Sequence, residues 1–159
     1  MWHVLKQISR YINSQLGRPH LTLGEWRLLR NNIKKQHRVL EFGSGNSTLH
    51  LQGRCKKLVS IEHNRRWYDF VKAKIDPELV DYHHRPLKHY TKDLQKLGPF
   101  DVVIIDGRAR LKCARNILKI LKKDHAVFVH DWFRSQYHRM LKDYILVHRK
   151  HDMVLLIKK

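Results

Sequence analysis

The 159-residue sequence predicts an α/β fold with a doubly wound, seven-stranded and mostly parallel sheet. Short apolar runs alternate with segments whose apolar residues recur at helical spacing, which indicates parallel strands joined by right-handed crossover helices. The run of Val and Ile at residues 102–105 is continuous, as in a central strand buried on both faces. The last two apolar runs, at 144–148 and 153–157, are separated by polar residues and predict a C-terminal antiparallel hairpin.

The individual elements follow from the same patterns. Strands are predicted at residues 38–42, 58–61, 79–84, 100–105, 126–129, 144–148 and 153–157. Helices are predicted at residues 46–54, 65–75, 111–121 and 132–141, after an N-terminal helical cap with helices at 2–16 and 22–33. We expect one domain over residues 1–159, divided into the cap at 1–37 and the core at 38–159.

Two of these helices carry more specific signals. Thr22 and Glu25 have the spacing of a capping box at the start of the second cap helix. In the helix at 65–75, the apolar pattern predicts that Trp67, Phe70 and Val71 face inward.

The charge of the chain is strongly positive. Lys and Arg number 33 against 14 Asp and Glu, a net charge of +19. Such a field attracts polyanions, including nucleic acid, anionic glycans and acidic membrane surfaces. A soluble, self-repelling surface explains the same charge equally well, so the charge alone does not choose a partner.

Composition also argues against several classes of protein. Cys55 and Cys113 are the only cysteines and lack CxxC spacing, so we expect reduced packing residues. The 13 histidines are scattered and include no HExxH motif, which argues against a structural zinc site. The N-terminus lacks the apolar core of a signal peptide and no window reaches membrane-span length, so we expect a cytoplasmic protein without a membrane span.

The strongest motif is VLEFGSGNST at residues 39–48, where a hydrophobic strand enters a turn with two glycines and then a helix. Glycines let the backbone approach a ligand, and the helix start offers unpaired N–H groups. Glu62 follows Gly45 by 17 residues, at the end of the next strand. An acid there can accept hydrogen bonds from both ribose hydroxyls of a nucleoside. The alternative is an exposed acid that pairs with Arg65 or Arg66.

On these residues the sequence resembles the class I S-adenosylmethionine (SAM)-dependent methyltransferases. VLEFGSGNST resembles their E/D-x-G-x-G first motif, SIEHN the acidic end of their second strand, and FDVVIIDG their fourth-strand motif. The resemblance covers residues 38–159. A nicotinamide-binding Rossmann enzyme has a similar first turn but carries GxGxxG, and Thr48 stands at the position of the third glycine.

The resemblance implies roles for individual residues. The methionine part of SAM would be lined by Glu41, Gly43, Ser44 and Gly45. Glu62 would hold the ribose, His63 would lie beside the adenine, and Arg85 falls near the family's other adenine contact. Asp106 would end the fourth strand at the methyl-transfer end of the cleft.

Asp106 and the pair His130–Asp131 end neighbouring predicted strands and are expected to face one crevice. Two carboxylates there can hold Mg²⁺, which would lower the pKa of a substrate hydroxyl. This arrangement resembles metal-dependent O-methyltransferases of the catechol and sugar-modifying kinds, although Trp132 stands where the catechol kind has Asn. In the metal-free alternative, Asp106, His130 or Asp131 acts as the general base. In a purely structural alternative, Asp131 caps the helix that follows it.

Several other residues surround the expected crevice. Arg108, Arg110 and Arg134 either meet an acidic substrate or form a solvated surface. Trp26 and Trp132 either wall the pocket or belong to the core.

These observations lead to one functional hypothesis and two alternatives. We expect SAM-dependent O-methylation of a hydroxyl on a small molecule or glycan, because the sequence after Asp106 is not the (D/N)PP(Y/F) of base amino-methyltransferases. An RNA methyltransferase, motivated by the charge, would need a basic stripe beside the cleft with aromatic residues for base stacking. A catalytically silent nucleic-acid-binding domain is the third possibility, although the glycines and acids are intact. The oligomeric state stays open.

Overall fold

The computed structural model describes Gly17 and residues 19–159. The strands are β1 (Arg38–Phe42), β2 (Lys57–Glu62), β3 (Val80–His84), β4 (Phe100–Ile105), β5 (Leu121–Val129), β6 (Tyr144–Lys150) and β7 (Met153–Lys158). The helices are α1 (Leu23–Asn31), α2 (Asn46–Leu51), α3 (Arg65–Lys72) and α4 (Arg110–Asn116). Residues 19–159 also contain four 3₁₀ segments, at Leu87–His89, Leu94–Lys96, Ile117–Lys119 and Ser135–Lys142. The helix predicted at residues 2–16 lies outside the described residues.

The seven strands form a single sheet in the order β3-β2-β1-β4-β5-β7-β6. The first five strands pair in parallel, and β7 runs antiparallel to both β5 and β6. The predicted fold class is therefore confirmed. The strand order reverses between β1 and β4, and ligands of doubly wound folds bind at the carboxyl ends of the strands at such a point.

Both faces of the central strand β4 are buried, as the continuous apolar run predicted. Val103 and Ile105 of β4 belong to one hydrophobic cluster, and Val102 and Ile104 belong to the cluster on the other face. Successive side chains on a strand point to opposite faces, so a strand covered on both sides needs apolar residues at every position.

Several element boundaries differ from the prediction. The helix predicted at 111–121 ends at Asn116 and continues only as a 3₁₀ turn, and β5 begins at Leu121 rather than at 126. The added part of β5 is polar, and Lys122 Nζ lies 2.8 Å from Asp101 Oδ2 on β4. A pattern of apolar residues therefore cannot predict this first part of β5. The helix predicted at 132–141 is the 3₁₀ segment at residues 135–142.

The inward face of α3 was predicted wrongly for two of its three residues. Val71 is buried as expected, but Trp67 and Phe70 are 44% and 49% exposed. The buried partner of Val71 is Tyr68, one helical turn away, whose ring stacks on Tyr82 of β3 at 4.4 Å.

Two expectations from the composition can be compared with the structure. Cys55 and Cys113 are free and buried, as predicted. A search of the described residues for a membrane-spanning helix finds none.

Candidate active site

A cleft of about 890 Å³ opens at the carboxyl ends of β1, β2, β4 and β5. This volume lies within the range of small-molecule and cofactor sites. Most of the residues predicted for the site line it, namely Gly43, Ser44, Gly45, Glu62, His63, Asp106, His130 and Asp131. Glu41 and Arg85 are not part of its lining.

The glycine bend after β1 is held against the loop after β4. Gly43 has φ +90°, and a Cβ built on it would lie 2.6 Å from the Cα of Gly107. The two backbones can approach this closely only because neither residue has a side chain. Gly45 differs, because a Cβ there would meet only the Trp67 ring at 3.8 Å. The bend therefore has one sterically closed glycine and one that faces open space.

Glu62 lies directly beside this bend. Its Oε2 accepts hydrogen bonds from the Ser44 N–H and hydroxyl, at 3.1 and 3.2 Å. Its Oε1 accepts from the N–H groups of His63 and Asn64, at 2.8 and 2.7 Å. The carboxylate thus joins the tips of β1 and β2, and it is not the exposed partner of Arg65, which pairs with Asp69 instead.

Glu41 corrects one prediction, because it lies beneath the bend rather than on the cleft wall. The side chain is fully buried and accepts hydrogen bonds from Ser47, Thr48 and Ser60, at 2.8, 2.6 and 2.7 Å. Burial raises the pKa of Glu41 to about 7, against the lowering effect of these hydroxyls. Glu41 therefore anchors the start of α2 and supports the bend from behind.

Asp106 and His130 meet at the other end of the cleft. Asp106 Oδ1 lies 3.0 Å from His130 Nδ1, and the Asp106 side chain is 34% exposed. Burial of His130 opposes its positive charge, but Asp106 and Glu25 outweigh it and raise the pKa of His130 to about 10. An imidazolium has no lone pair to accept a proton, so the raised pKa argues against the predicted role of His130 as a general base.

Arg110 lies at the cleft, as expected, but its burial was not predicted. Its buried guanidinium lies between the two acids, with Nη2 3.0 Å from Asp131 Oδ2 and 3.3 Å from Asp106 Oδ1. Nε donates to the Gly107 carbonyl at 2.9 Å, and Nη1 donates to the His130 carbonyl. The solvated-surface alternative is therefore wrong for Arg110.

The positions of the other two arginines are compatible with contact to an acidic substrate and with a solvated surface. Arg108 and Arg134 are exposed and line the cleft. Asp131 does not cap a helix directly, since the 3₁₀ segment begins at Ser135 with Arg134 as its cap.

The side chains around Asp106 and Asp131 do not suit a divalent metal ion. Asp106 and Asp131 do share the cleft, as predicted, but Arg110 already supplies the positive charge between their carboxylates. His130 adds a second cation against Asp106. Within the described part of the chain, no group of three or more His, Cys, Asp or Glu side chains is arranged to hold a metal ion.

Glu25 is a second residue whose role the sequence did not reveal. The capping box is present, with Thr22 N–H donating to Glu25 Oε2 at 2.7 Å. The same buried carboxylate accepts from the Asp152 N–H at 2.9 Å and lies 3.7 Å from His130 Nε2. Burial opposes its charge, but His130 and the two N–H groups lower the pKa of Glu25 to about 2. The cap is thus connected to the end of β5.

The two tryptophans considered as pocket walls belong to the core instead. Trp132 is buried in one hydrophobic cluster, and Trp26 packs against the other. Neither residue lines the cleft.

Comparison with known proteins gives an independent result. The model of a family described as "methyltransferase domain" matches residues 40–132, more than half of the chain. No curated protein sequence matches this one.

Several solved structures share the fold at low sequence identity. A methyltransferase-like protein from Silicibacter pomeroyi is 19% identical, with 86% of each chain covered and a TM-score of 0.73. A Staphylococcus aureus protein assigned as a caffeoyl-CoA O-methyltransferase is 15% identical, with 97% of this chain and 92% of that chain covered and a TM-score of 0.72.

A third similar structure is the MycE methyltransferase of the mycinamycin biosynthetic pathway, in complex with Mg and SAH. It is 14% identical, with 96% of this chain and 54% of that chain covered and a TM-score of 0.63. These three similarities show the fold, whereas the family match covers the glycine bend, Glu62 and Asp106. The chain therefore belongs to the methyltransferase domain family and is a SAM-dependent methyltransferase.

Proposed function

We propose that this enzyme transfers the methyl group of SAM to a hydroxyl oxygen of a small molecule or glycan. The observation that supports this proposal is the Asp106 carboxylate, which opens into the cleft from the end of β4. The residues that follow it are Gly107 and Arg108 rather than the Pro-Pro of base amino-methyltransferases. A carboxylate at this point suits a nucleophile that must lose a proton, such as a hydroxyl.

The cofactor would lie along the cleft from the bend to Asp106. Gly45 leaves room for its methionine part, and Gly43 and Ser44 line that end. Glu62 would accept hydrogen bonds from the ribose hydroxyls. Its Oε2 would become available because the Ser44 hydroxyl, which now donates to it, also lies 2.5 Å from the Tyr82 hydroxyl and can bond there instead. His63 would lie beside the adenine. When bound, SAM supplies a methyl group that its sulfonium charge has already activated.

In this proposal the residues around Asp106 handle the proton and the geometry. Asp106 accepts the hydroxyl proton as the acceptor oxygen bonds to the methyl carbon and the methyl–sulfur bond breaks. Arg110 and His130 hold the Asp106 carboxylate in place at 3.3 and 3.0 Å. Positioning provides most of the rate acceleration in such a displacement, and a well-placed base contributes roughly 10²- to 10⁴-fold.

The rim of the cleft favours an acidic acceptor. Arg108 and Arg134 are exposed there and line the same end as Asp106 and Asp131. Arg134 Nη2 lies 3.6 Å from Asp131 Oδ2, an exposed and therefore weak ion pair that an acceptor carboxylate or phosphate can replace. We propose that these arginines bind such a group.

The test is a transfer assay with methyl-labelled SAM over hexuronic acid oligosaccharides, their neutral counterparts, phenols and RNA. We expect label in hydroxyl-bearing acceptors, more in acidic than in neutral oligosaccharides, and retention after mild alkali, which cleaves methyl esters but not methyl ethers. Label confined to nitrogen, or released by alkali, would contradict the proposal.

Two variants separate binding from chemistry in this assay. Asp106→Asn should lose at least 100-fold in turnover while still binding SAM in a calorimetric titration. Glu62→Gln should weaken SAM binding by at least tenfold, because it replaces hydrogen bonds to a charged acceptor. Asp81→Asn, an acid on β3 outside the cleft, is the matched control and should change neither property.

A further inference from the structure

The solvent side of α3 carries two exposed aromatic rings beside the cleft. Trp67 and Phe70 stack on each other, with ring centroids 5.2 Å apart and planes inclined by 27°. Trp67 also lines the cleft, and its Nε1 donates to the Ser44 carbonyl at 2.7 Å. Large aromatic side chains that stay about half exposed on a helix are candidates for binding a partner.

Cationic side chains flank these rings. Arg66, Phe70 and Lys74 are spaced four residues apart and share one side of the helix and its extension. Lys74 Nζ lies 3.7 Å from the centroid of the Phe70 ring. Among the ion pairs of the described residues, neither Arg66 nor Lys74 has a carboxylate partner. We call Arg66, Trp67, Phe70 and Lys74 the α3 face.

The opposite rim of the cleft repeats this combination on a smaller scale. Phe133 is exposed, and the Arg134 guanidinium carbon lies 5.6 Å from its ring centroid. Arg134 also lines the cleft; it follows β5 whereas Trp67 follows β2, and β1 and β4 lie between these two strands. An extended ligand that crosses the cleft would therefore meet an aromatic ring and a cation on each side.

We propose that the α3 face binds single-stranded RNA, with bases stacked on Trp67 and Phe70 and phosphates against Arg66 and Lys74. Stacking platforms flanked by positive charge are how proteins bind single strands without reading their sequence. The net charge of +19 favours a polyanion over a protein surface of mixed charge. The choice of RNA over DNA goes beyond the proposed acceptor classes and rests only on the proposed chemistry, because RNA carries a 2′-hydroxyl, the type of nucleophile that Asp106 would deprotonate, and DNA does not.

The test measures the fluorescence anisotropy of a fluorescein-labelled 12-nucleotide oligouridine with the full chain and without SAM, so it is independent of catalysis. Phe70→Ala and Trp67→Ala should each weaken binding by about tenfold, because each removes a stacking surface. Trp67→Phe keeps a ring and loses the bond to Ser44, so it should bind RNA within threefold of the wild type. The double variant Ile145→Ala/Val147→Ala removes exposed apolar side chains from β6, at the opposite edge of the sheet, and should bind normally.

A salt series tests the cationic half of the proposal. Arg66→Gln/Lys74→Gln should reduce the slope of log affinity against log salt by about 1.4, since each phosphate contact to a single strand contributes about 0.7. The aromatic variants should leave that slope unchanged.

Three results would overturn the assignment. The first is wild-type RNA binding by Phe70→Ala, whose retained SAM affinity in calorimetry would show an intact fold. The second is an equal loss of heparin binding in the aromatic variants, because heparin carries charge but no bases and would identify a glycan site. The third is tighter binding of the matching DNA than of the RNA.

Discussion

Glu25 Oε1, on the cap helix α1, lies 3.7 Å from Nε2 of His130 at the end of β5. The opposite side of the imidazole contacts Asp106 at 3.0 Å, so one buried cation joins two carboxylates. The Glu25 carboxylate also accepts from the backbone of Asp152 in the turn between β6 and β7. The Glu25 carboxylate therefore connects the cap helix and the terminal hairpin to His130 at the methyl-transfer end of the cleft.

Glu25→Gln tests this coupling. The substitution removes a buried counter-charge of His130, so we expect the free energy of unfolding to fall by roughly 3 kcal/mol. Urea denaturation at pH 7 measures the change. The control is Glu78→Gln at an exposed site, where a change within about 0.5 kcal/mol is expected. An equal effect of the two substitutions would contradict a buried ion pair at Glu25.

The charge on His130 predicts how stability depends on pH. Its pKa is about 10 in the folded chain against about 6.5 when unfolded. A raised pKa contributes stability that is fully present below pH 6.5 and is lost as the pH rises through 10. We expect the wild type to lose more stability between pH 7 and pH 10 than His130→Gln, measured by urea denaturation. Parallel pH profiles of the two proteins would show that His130 is not charged in the native state.

The raised pKa of Glu41 predicts a second dependence of stability on pH, between pH 4 and pH 8. Its pKa is about 7 in the folded chain against about 4.3 when unfolded. Its contribution to stability is complete below pH 4.3 and is lost as the pH rises through 7. Glu41→Gln cannot ionise, so its stability relative to the wild type should improve by about 3 kcal/mol between pH 4 and pH 8. Chemical denaturation at the two pH values measures this difference, and a constant difference would refute it.

Local patterns in the sequence were sufficient to predict the fold and the position of the glycine bend. Strand and helix periodicities predicted the sheet, and the interval from Gly45 to Glu62 predicted the acid beside the bend. Both signals work because the participating residues follow strands that pair directly, β1 with β2. A fixed register then brings their ends together without help from the rest of the chain.

The unpredicted part of the site depends on contacts between distant segments. The capping box with Thr22 already explained Glu25, so no neighbouring residue in the sequence indicated its contact with His130. Arg110 was expected either to meet an acidic substrate or to lie on a solvated surface, and neither alternative includes its burial between two acids. Phe70 was assigned inward because it is apolar, and apolar content alone does not distinguish a core residue from an exposed aromatic ring.

The two glycines of the bend provide a matched pair of substitutions. Gly43→Ala would place a Cβ 2.6 Å from the Gly107 backbone at a positive φ, so neither strain nor contact can relax easily. We expect a loss of several kcal/mol in the free energy of unfolding, roughly 3 or more. Gly45→Ala meets only the Trp67 ring at 3.8 Å and should change stability by less than about 1 kcal/mol. Thermal denaturation ranks the two variants, and a larger loss at Gly45 would disprove this account of the bend.

Arg110 leads to a prediction about metal dependence. Because its guanidinium already occupies the position between Asp106 and Asp131 and pairs with both, we expect methyl transfer to be unaffected by excess EDTA. Arg110→Ala removes the buried cation that both carboxylates share and leaves only His130 and Arg134 beside them, so the free energy of unfolding should fall by roughly 3 kcal/mol. Millimolar Mg²⁺ should restore part of that loss, since the exposed oxygens then suit a hard cation.

Manganese binding, followed by electron paramagnetic resonance, separates these cases without an activity assay. The wild type should bind no Mn²⁺ tightly, whereas Arg110→Ala should bind about one ion through the freed carboxylates. Arg134→Ala is the control, because that exposed arginine pairs weakly with Asp131 and its loss leaves Arg110 in place. Stoichiometric Mn²⁺ binding by the wild type would mean that a metal displaces the guanidinium, because both cannot neutralise the same pair of acids.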